Sequence, residues 1–224
     1  MPRRKILSEA ELDRITEAIR QAELKTSAEI VTVITSRAGA YTGHVLLAGA
    51  VMLFVASVAY LTFIGPIGEF LRRFFWSFET RHALWALLVV QAAVFILTYV
   101  LLSAWPGLKR LLVSRKDQLE KVRRRAASEF FHHHISSTKG GTGVLIFVAL
   151  FERRVELLVD SGIARVIPQQ TWQSVVEEII AGVKKRAFVD VLCGQVVRCG
   201  QTLSKDFPRK ADDVNELSDR PVVE

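Results

Sequence analysis

The sequence predicts a mixed α/β domain, a sheet flanked by helices, interrupted by a two-helix transmembrane hairpin. Three observations predict it. No Asp, Glu, Lys or Arg occurs between Arg37 and Glu69, nor between Arg81 and Lys109. Runs dense in β-branched residues lie on both sides of these windows: AEIVTVIT at 28–35, GVLIFVAL at 143–150 and VELLVD at 155–160. Amphipathic helical patterns surround those runs. Neither end of the chain holds a complete sheet alone, and an unpaired buried strand is costly. Segments 1–37 and 109–205 are therefore expected to form one domain, followed by a polar tail at 206–224 that is mobile or loosely docked.

Each element has its own signal. Residues 8–24 open with Ser8 and Glu11, the S-x-x-E capping box, and place Leu12, Ile15 and Ile19 on one helical face. Residues 28–35 read as a strand buried on both faces. The apolar segments 44–64 and 83–105 each reach the roughly 20 residues that cross a hydrocarbon core. In lipid every backbone polar group must bond within the segment, so both are helices. Gln91 is the strongly polar side chain inside the second span, placed to hydrogen-bond the neighbouring helix. The linker 65–82 carries Phe70, Phe74, Phe75, Trp76 and Phe78, which suit a short amphipathic piece at the headgroup level.

After the second span, residues 115–131 form a basic helix with a narrow apolar stripe of Leu119, Val122, Ala126 and Phe130. A turn-rich stretch, 132–143, ends it. The strands 143–150 and 155–160 are joined too tightly to be anything but antiparallel. The strand at 28–35 can pair in parallel with 143–150, using 115–131 as the crossover. Pro168 opens an amphipathic helix, and a last helix runs near 189–204.

Net charge is +7, and the excess follows the second apolar segment: Lys109, Arg110, Arg115, Lys116, Lys121 and Arg123 to Arg125. Nucleic-acid binding would want such residues interleaved with aromatic stacking platforms, so no nucleic-acid partner is expected. Topology signalling fits their position better. With Lys25 and Arg37 they outweigh Arg72, Arg73 and Arg81 of the linker, which puts both termini in the cytoplasm. Residues 1–37 lack an early apolar core, so no cleavable signal peptide is read there. Cys193 and Cys199 are spaced for neither a redox motif nor a metal knuckle and read as reduced thiols.

The stretch AASEFFHHHISSTKGGTGVLIFVALFERRVELLVDSGI resembles the heart of the TPM domain, the family of thylakoid acid phosphatase and photosystem-repair-like domains. AEIVTVIT is similar to that family's first strand, and PQQTWQSVVEEIIAGVKKRAFVDVL to its following helix pair. The hairpin has no counterpart in the resemblance. The resemblance implies the α/β fold and, for some members, metal-assisted phosphatase chemistry. The family loop after the second strand, Gly-aromatic-Gly-Leu-Glu with a nearby Asp, reads Asp160-Ser161-Gly162-Ile163-Ala164-Arg165 here. Only Gly162 and Ile163 match. Ala164 stands at the acidic position, and Gln169 or Gln170 replaces the nearby acid. Oxygen ligands for Ca²⁺ or Mg²⁺ are thereby lost.

The candidate site residues follow. Asp160, Ser161 and Gly162 form the candidate binding loop, with a positive φ or a close approach expected at Gly162. Asp160 and Glu29 sit at strand ends, where ligands gather in open α/β sheets. His132, His133 and His134 are the candidate metal ligands. Consecutive helical residues diverge by about a hundred degrees, so at most two could share an ion, and helix-end histidines also complement the dipole. The stretch from Thr138 to Gly143 lacks the phosphate-loop pattern and reads as a turn. No catalytic residue is assigned. No cofactor is expected, the alternative being a divalent metal, Ca²⁺ or Mg²⁺ ahead of Zn²⁺. The expected role is a membrane-anchored binding or assembly module on the cytoplasmic face of a bacterial inner membrane. Its partners would be the lipid bilayer and a membrane protein. A metal-assisted phosphatase-like hydrolase is the alternative. A transporter subunit is a further one, opposed by the lack of an ionisable residue in mid-membrane.

Overall fold

The structure is a computed structural model that describes residues 6–72, 80–185, 187–210 and 213–224. In chain order its elements are α1 (Glu9–Glu23), β1 (Glu29–Thr35), α2 (Thr42–Arg72), α3 (Thr80–Ala104), α4 (Pro106–Leu112), α5 (Arg115–His132), β2 (Gly143–Ala149), β3 (Arg154–Val159), α6 (Ser161–Val166), α7 (Gln173–Lys185), α8 (Phe188–Asp206) and β4 (Val222–Val223). The chain divides into two compact units, Met1–Gly39 with Arg115–Glu224, and Ala40–Ser114.

The first unit is built on a four-stranded mixed sheet in the order β3-β2-β1-β4. β1 and β2 run parallel, from Glu29 opposite Gly143 to Thr35 opposite Ala149. A parallel pair needs a crossover, and α5 supplies it. β3 folds back antiparallel on β2, with Val144 opposite Val159. The turn between them places Arg153 in the left-handed region, at φ 51°.

Every residue of β1 and β2 is buried, as their β-branched composition implies. Alternation splits them between two cores. Ile30, Ile34, Val144, Ile146 and Val148 face Ile19, Ile179 and Leu192 of α1, α7 and α8. Val31, Val33, Leu145, Phe147 and Ala149 face Val122, Ala126 and Phe130 of α5. Each fully buried aliphatic side chain here contributes about 1.5–3 kcal/mol over an exposed one. The apolar stripe on α5 is narrow because the rest of that helix is solvated.

Two expectations change. The segment after Pro168 opens with a 3-10 turn, Gln169–Trp172, and α7 proper begins at Gln173. Proline thus caps the turn, and the turn buries Trp172. The tail does not end loosely. Val222 and Val223 pair in parallel with Val33 and Ile34, and the Ser36 and Glu224 backbones complete the ladder. The free edge of β1 requires a partner, and Val-Val is the one β-prone pair in the tail.

α1 opens with the capping box, both reciprocal bonds present, and lies against α8. The two backbones approach so closely that a Cβ on Gly200 would sit 2.6 Å from the Ala22 Cβ and 2.8 Å from its Cα. Both cysteines are free thiols. Burial in α8 pushes Cys199 up to about 12, which leaves it unreactive.

The second unit contains two helices long and apolar enough to cross a membrane, over Thr42–Pro66 and Leu84–Ala104. Only 6% of each window is buried, so neither is packed as a core helix among the described residues. Leu47, Phe54 and Leu61 on one, and Val89, Ile96 and Leu97 on the other, project outward. The helices pack on each other, and Gln91 Nε2 donates to Ser57 Oγ at 2.9 Å. Ser57 Oγ in turn donates to Leu53 O at 2.8 Å. α2 continues through Pro66 to Arg72, beyond the apolar window at 44–64. Of the expected interfacial linker, Phe74, Phe75, Trp76 and Phe78 lie outside the described residues.

Two glycines on α8 give a paired test. Gly200→Ala should cost about 1–3 kcal/mol by overpacking against Ala22. A Cβ on Gly194 would meet nothing within 4 Å. Gly194→Ala should therefore be neutral or stabilise by up to about 1 kcal/mol. Denaturant unfolding of both variants in detergent measures the difference.

Candidate functional site

The parallel register brings the starts of β1 and β2 and the end of β3 to one edge of the sheet. Glu29 lies opposite Gly143, and the Asp160 N–H donates to Gly143 O at 2.9 Å. Glu29 and Asp160 therefore flank Gly143 at the same end of the sheet.

Asp160 does not open a loop. It caps the short helix α6, with Oδ1 accepting from the Ser161 N–H and its carbonyl accepting from Ala164 N–H at 2.9 Å. The extended backbone at Asp160, φ −74° and ψ 167°, is the usual geometry of such a cap. Asp160 is nine-tenths buried, and Oδ2 has no hydrogen-bond partner among the described residues. A buried acceptor left unmatched is costly and marks a place where a donor belongs.

The turn at Thr138–Thr142 packs on this cap. Gly140 and Gly141 have φ of 89° and 67°, conformations that favour glycine. Gly162 N–H donates to Gly141 O at 3.0 Å. A Cβ on Gly162 would lie 2.3 Å from Gly140 O and 2.6 Å from Gly141 O. Close backbone approach is thus the constraint on Gly162, and its φ is not positive. Sequence alone leaves both causes open; the Gly-Gly pair is the signal that decides between them.

On the other flank, Glu29 accepts from the Glu216 and Leu217 N–H groups at 3.2 and 3.3 Å. Burial pushes its carboxyl up, those two bonds opposing it, with Asp213 and Glu216 adding repulsion. Glu23, accepting from Ile30 N–H at 2.8 Å, is pushed up to about 8, by burial first and then by Glu29 and Asp219. A cavity of about 460 Å³ opens here, lined in part by Glu29, Lys139, Thr142, Arg209 and Asp213. Its charge is mixed.

Ca²⁺ needs six to eight oxygens, and Mg²⁺ an octahedral set. The groups beside Asp160 are the Gly140–Gly141 backbone and Ser161. Ala164 and Arg165 follow in α6, and Gln169 and Gln170 fall in the 3-10 turn. Among the described residues, no acidic group of three gathers its oxygens closely enough to share an ion. The residues here do not fit an oxygen-ligated divalent ion.

The histidines separate. His132 is the exposed last residue of α5, and His133 is half-buried. Both approach Glu129, which sequence reasoning missed although it stands three and four residues earlier on the same helical face. His134 adopts φ 55°, starts the turn Ile135–Ser137 and stays exposed, apart from the other two.

Against known proteins, the TPM domain family matches residues 111–190. A TPM domain is therefore present in this chain. The NMR structure of the BA42 protein from the psychrophilic bacterium Bizionia argentinensis sp. nov. is similar to it at 20% identity and a TM-score of 0.58, over 100% of both chains. At that identity the likeness is one of fold. No curated protein matches the chain.

Gly162→Ala should destabilise the domain by about 2 kcal/mol or more, because the turn must part from α6. Asp160→Asn should leave thermal stability near wild type, since the amide oxygen can still cap Ser161. Thermal unfolding of both separates strain from binding. Glu23 stays protonated in the folded chain up to about pH 8, against an ordinary value of 4.5. The folded state then holds the extra proton between those limits, so this contribution to stability is full below pH 4.5 and lost as pH rises through 8. Glu23→Gln should raise the Tm above pH 8 by a few degrees and flatten that slope.

Proposed function

We propose that this chain is a membrane-anchored TPM domain that serves as a binding and assembly module on the cytoplasmic face of a bacterial inner membrane. The observation that carries the anchor is the pair of long helices whose apolar side chains point outward, uncovered by the described residues. Water would penalise that surface by about 25 cal/mol per Å², and acyl chains would not. Gln91 and Ser57 satisfy each other between the helices, as polar groups in hydrocarbon must. The basic residues from Lys109 to Arg125 favour the cytoplasmic side.

The binding surface is assigned to the sheet end at Asp160, Ser161 and Gly162. Oδ2 of Asp160 lies beneath the Gly140–Gly141 turn, so a partner would donate a hydrogen bond or a positive charge to it on displacing that turn. A protein of the same membrane is the partner proposed, reached along the bilayer surface. The phosphatase-like alternative draws no support from the donor set, since carboxylates do not converge on Asp160. A transport pathway would need ionisable groups within the spans, and Gln91 is engaged by Ser57.

Two measurements test this. In a background with Cys193 and Cys199 replaced by Ala, a membrane-impermeant thiol reagent should label Ser77→Cys in intact cells. It should label Ser218→Cys only after permeabilisation; labelling of Ser218→Cys from outside overturns the orientation. Crosslinking in native membranes should capture a partner whose yield falls about tenfold in Asp160→Asn. Divalent-metal-dependent phosphatase turnover that vanishes in Asp160→Ala would instead establish the alternative.

A further inference from the structure

We propose that Glu129, His132 and His133 form a binding site for a divalent transition-metal ion of the zinc class. The three occupy the last turn of α5, and their donor atoms all lie within 4.8 Å of one another. Glu129 Oε2 is 3.3 Å from His133 Nε2 and 3.9 Å from His132 Nδ1. Zinc binds imidazole nitrogen at about 2.0–2.1 Å and carboxylate oxygen at about 2.0–2.2 Å, so tetrahedral donors stand about 3.3 Å apart. One pair already has that spacing. The other reaches it by rotation of His132, whose side chain is exposed.

Two features separate this arrangement from an ordinary pair at a helix end. His133 Nε2 is shielded from solvent and faces Glu129 Oε2, yet makes no hydrogen bond among the described residues. A cation between the two atoms would satisfy both. Glu129 is itself buried, and Arg125 holds its other oxygen, Oε1, at 2.7 Å. Arg125 also pairs with Glu224, beside β4, so the guanidinium is fixed from both sides. The carboxylate is thus oriented with Oε2 toward the imidazoles, as partners beyond the ligands do at metal centres.

The donor chemistry selects the ion. Two imidazoles and one carboxylate suit Zn²⁺, Ni²⁺ or Co²⁺ and are poor for Ca²⁺ or Mg²⁺. Three protein ligands leave a fourth position for water or for a group from a partner. His134 takes no part: its backbone leaves the helix in the left-handed region, and its nitrogens do not join the group.

The full-length chain, purified in detergent without a histidine tag and stripped with chelator, is titrated with Zn²⁺ by calorimetry and with Co²⁺ by visible absorption. A single ion per chain and a tetrahedral Co²⁺ spectrum are expected. His132→Gln and His133→Gln should each weaken binding at least about tenfold, and His134→Gln should leave it unchanged. Because His132 is exposed, its variant folds even where a change at buried Glu129 does not. Absence of saturable binding, or an equal loss in His134→Gln and His132→Gln, overturns the proposal; the second result would mark an unstructured histidine tract.

Discussion

The pairing of β1 on both edges is the constraint on which the domain depends. This strand is buried along its whole length, so its backbone groups need partners, which the neighbouring strands supply and, at the Ile30 N–H, the Glu23 carboxylate. β2 lies on one side and β4 on the other. Both come from beyond the hairpin in sequence. The two ends of the chain are thereby held together by backbone hydrogen bonds, and the apolar faces of α1, α5, α7 and α8 then have a sheet to close upon. The cap at Asp160 and the contact of Glu29 with Glu216 and Leu217 follow from the same register.

Much of this was legible because it is local. Alternating or continuous β-branched runs fix strands, and the 3.6-residue stripe fixes α1 and α7. The parallel pairing and its crossover follow from the order of elements. Length and the absence of charge mark the two candidate spans. What escaped is chiefly non-local. Val222 and Val223 are too short to declare a strand; only the open edge of β1, fixed by the rest of the fold, makes them one. The 3-10 turn before α7 escaped for a similar reason, since it exists to bury Trp172.

The candidate sites divide the same way. Gly162 was legible as a special glycine, but its cause lies in the Gly140–Gly141 turn, upstream of both β2 and β3 and adjacent only after folding. The asymmetry among three successive histidines could not be read from their run. It depends on Glu129 on one side and on the left-handed backbone of His134 on the other. Burial of Glu23 beside Glu29 and Asp219 likewise depends on where the tail returns, which no window of sequence contains.

The insertion of the hairpin between β1 and α5 sets the order of events at the ribosome. β1 leaves the exit tunnel first, and its partner β2 is synthesised only after both long apolar helices have been made. At translation rates of about 5–20 residues per second, the wait is on the order of ten seconds. During that interval EIVTVIT is an apolar strand with two open edges, the composition that favours aggregation between nascent chains. α1, completed earlier and amphipathic, is available to cover it. The sheet cannot close fully until Val222 and Val223 have also emerged, so it is completed only after both long apolar helices have been made.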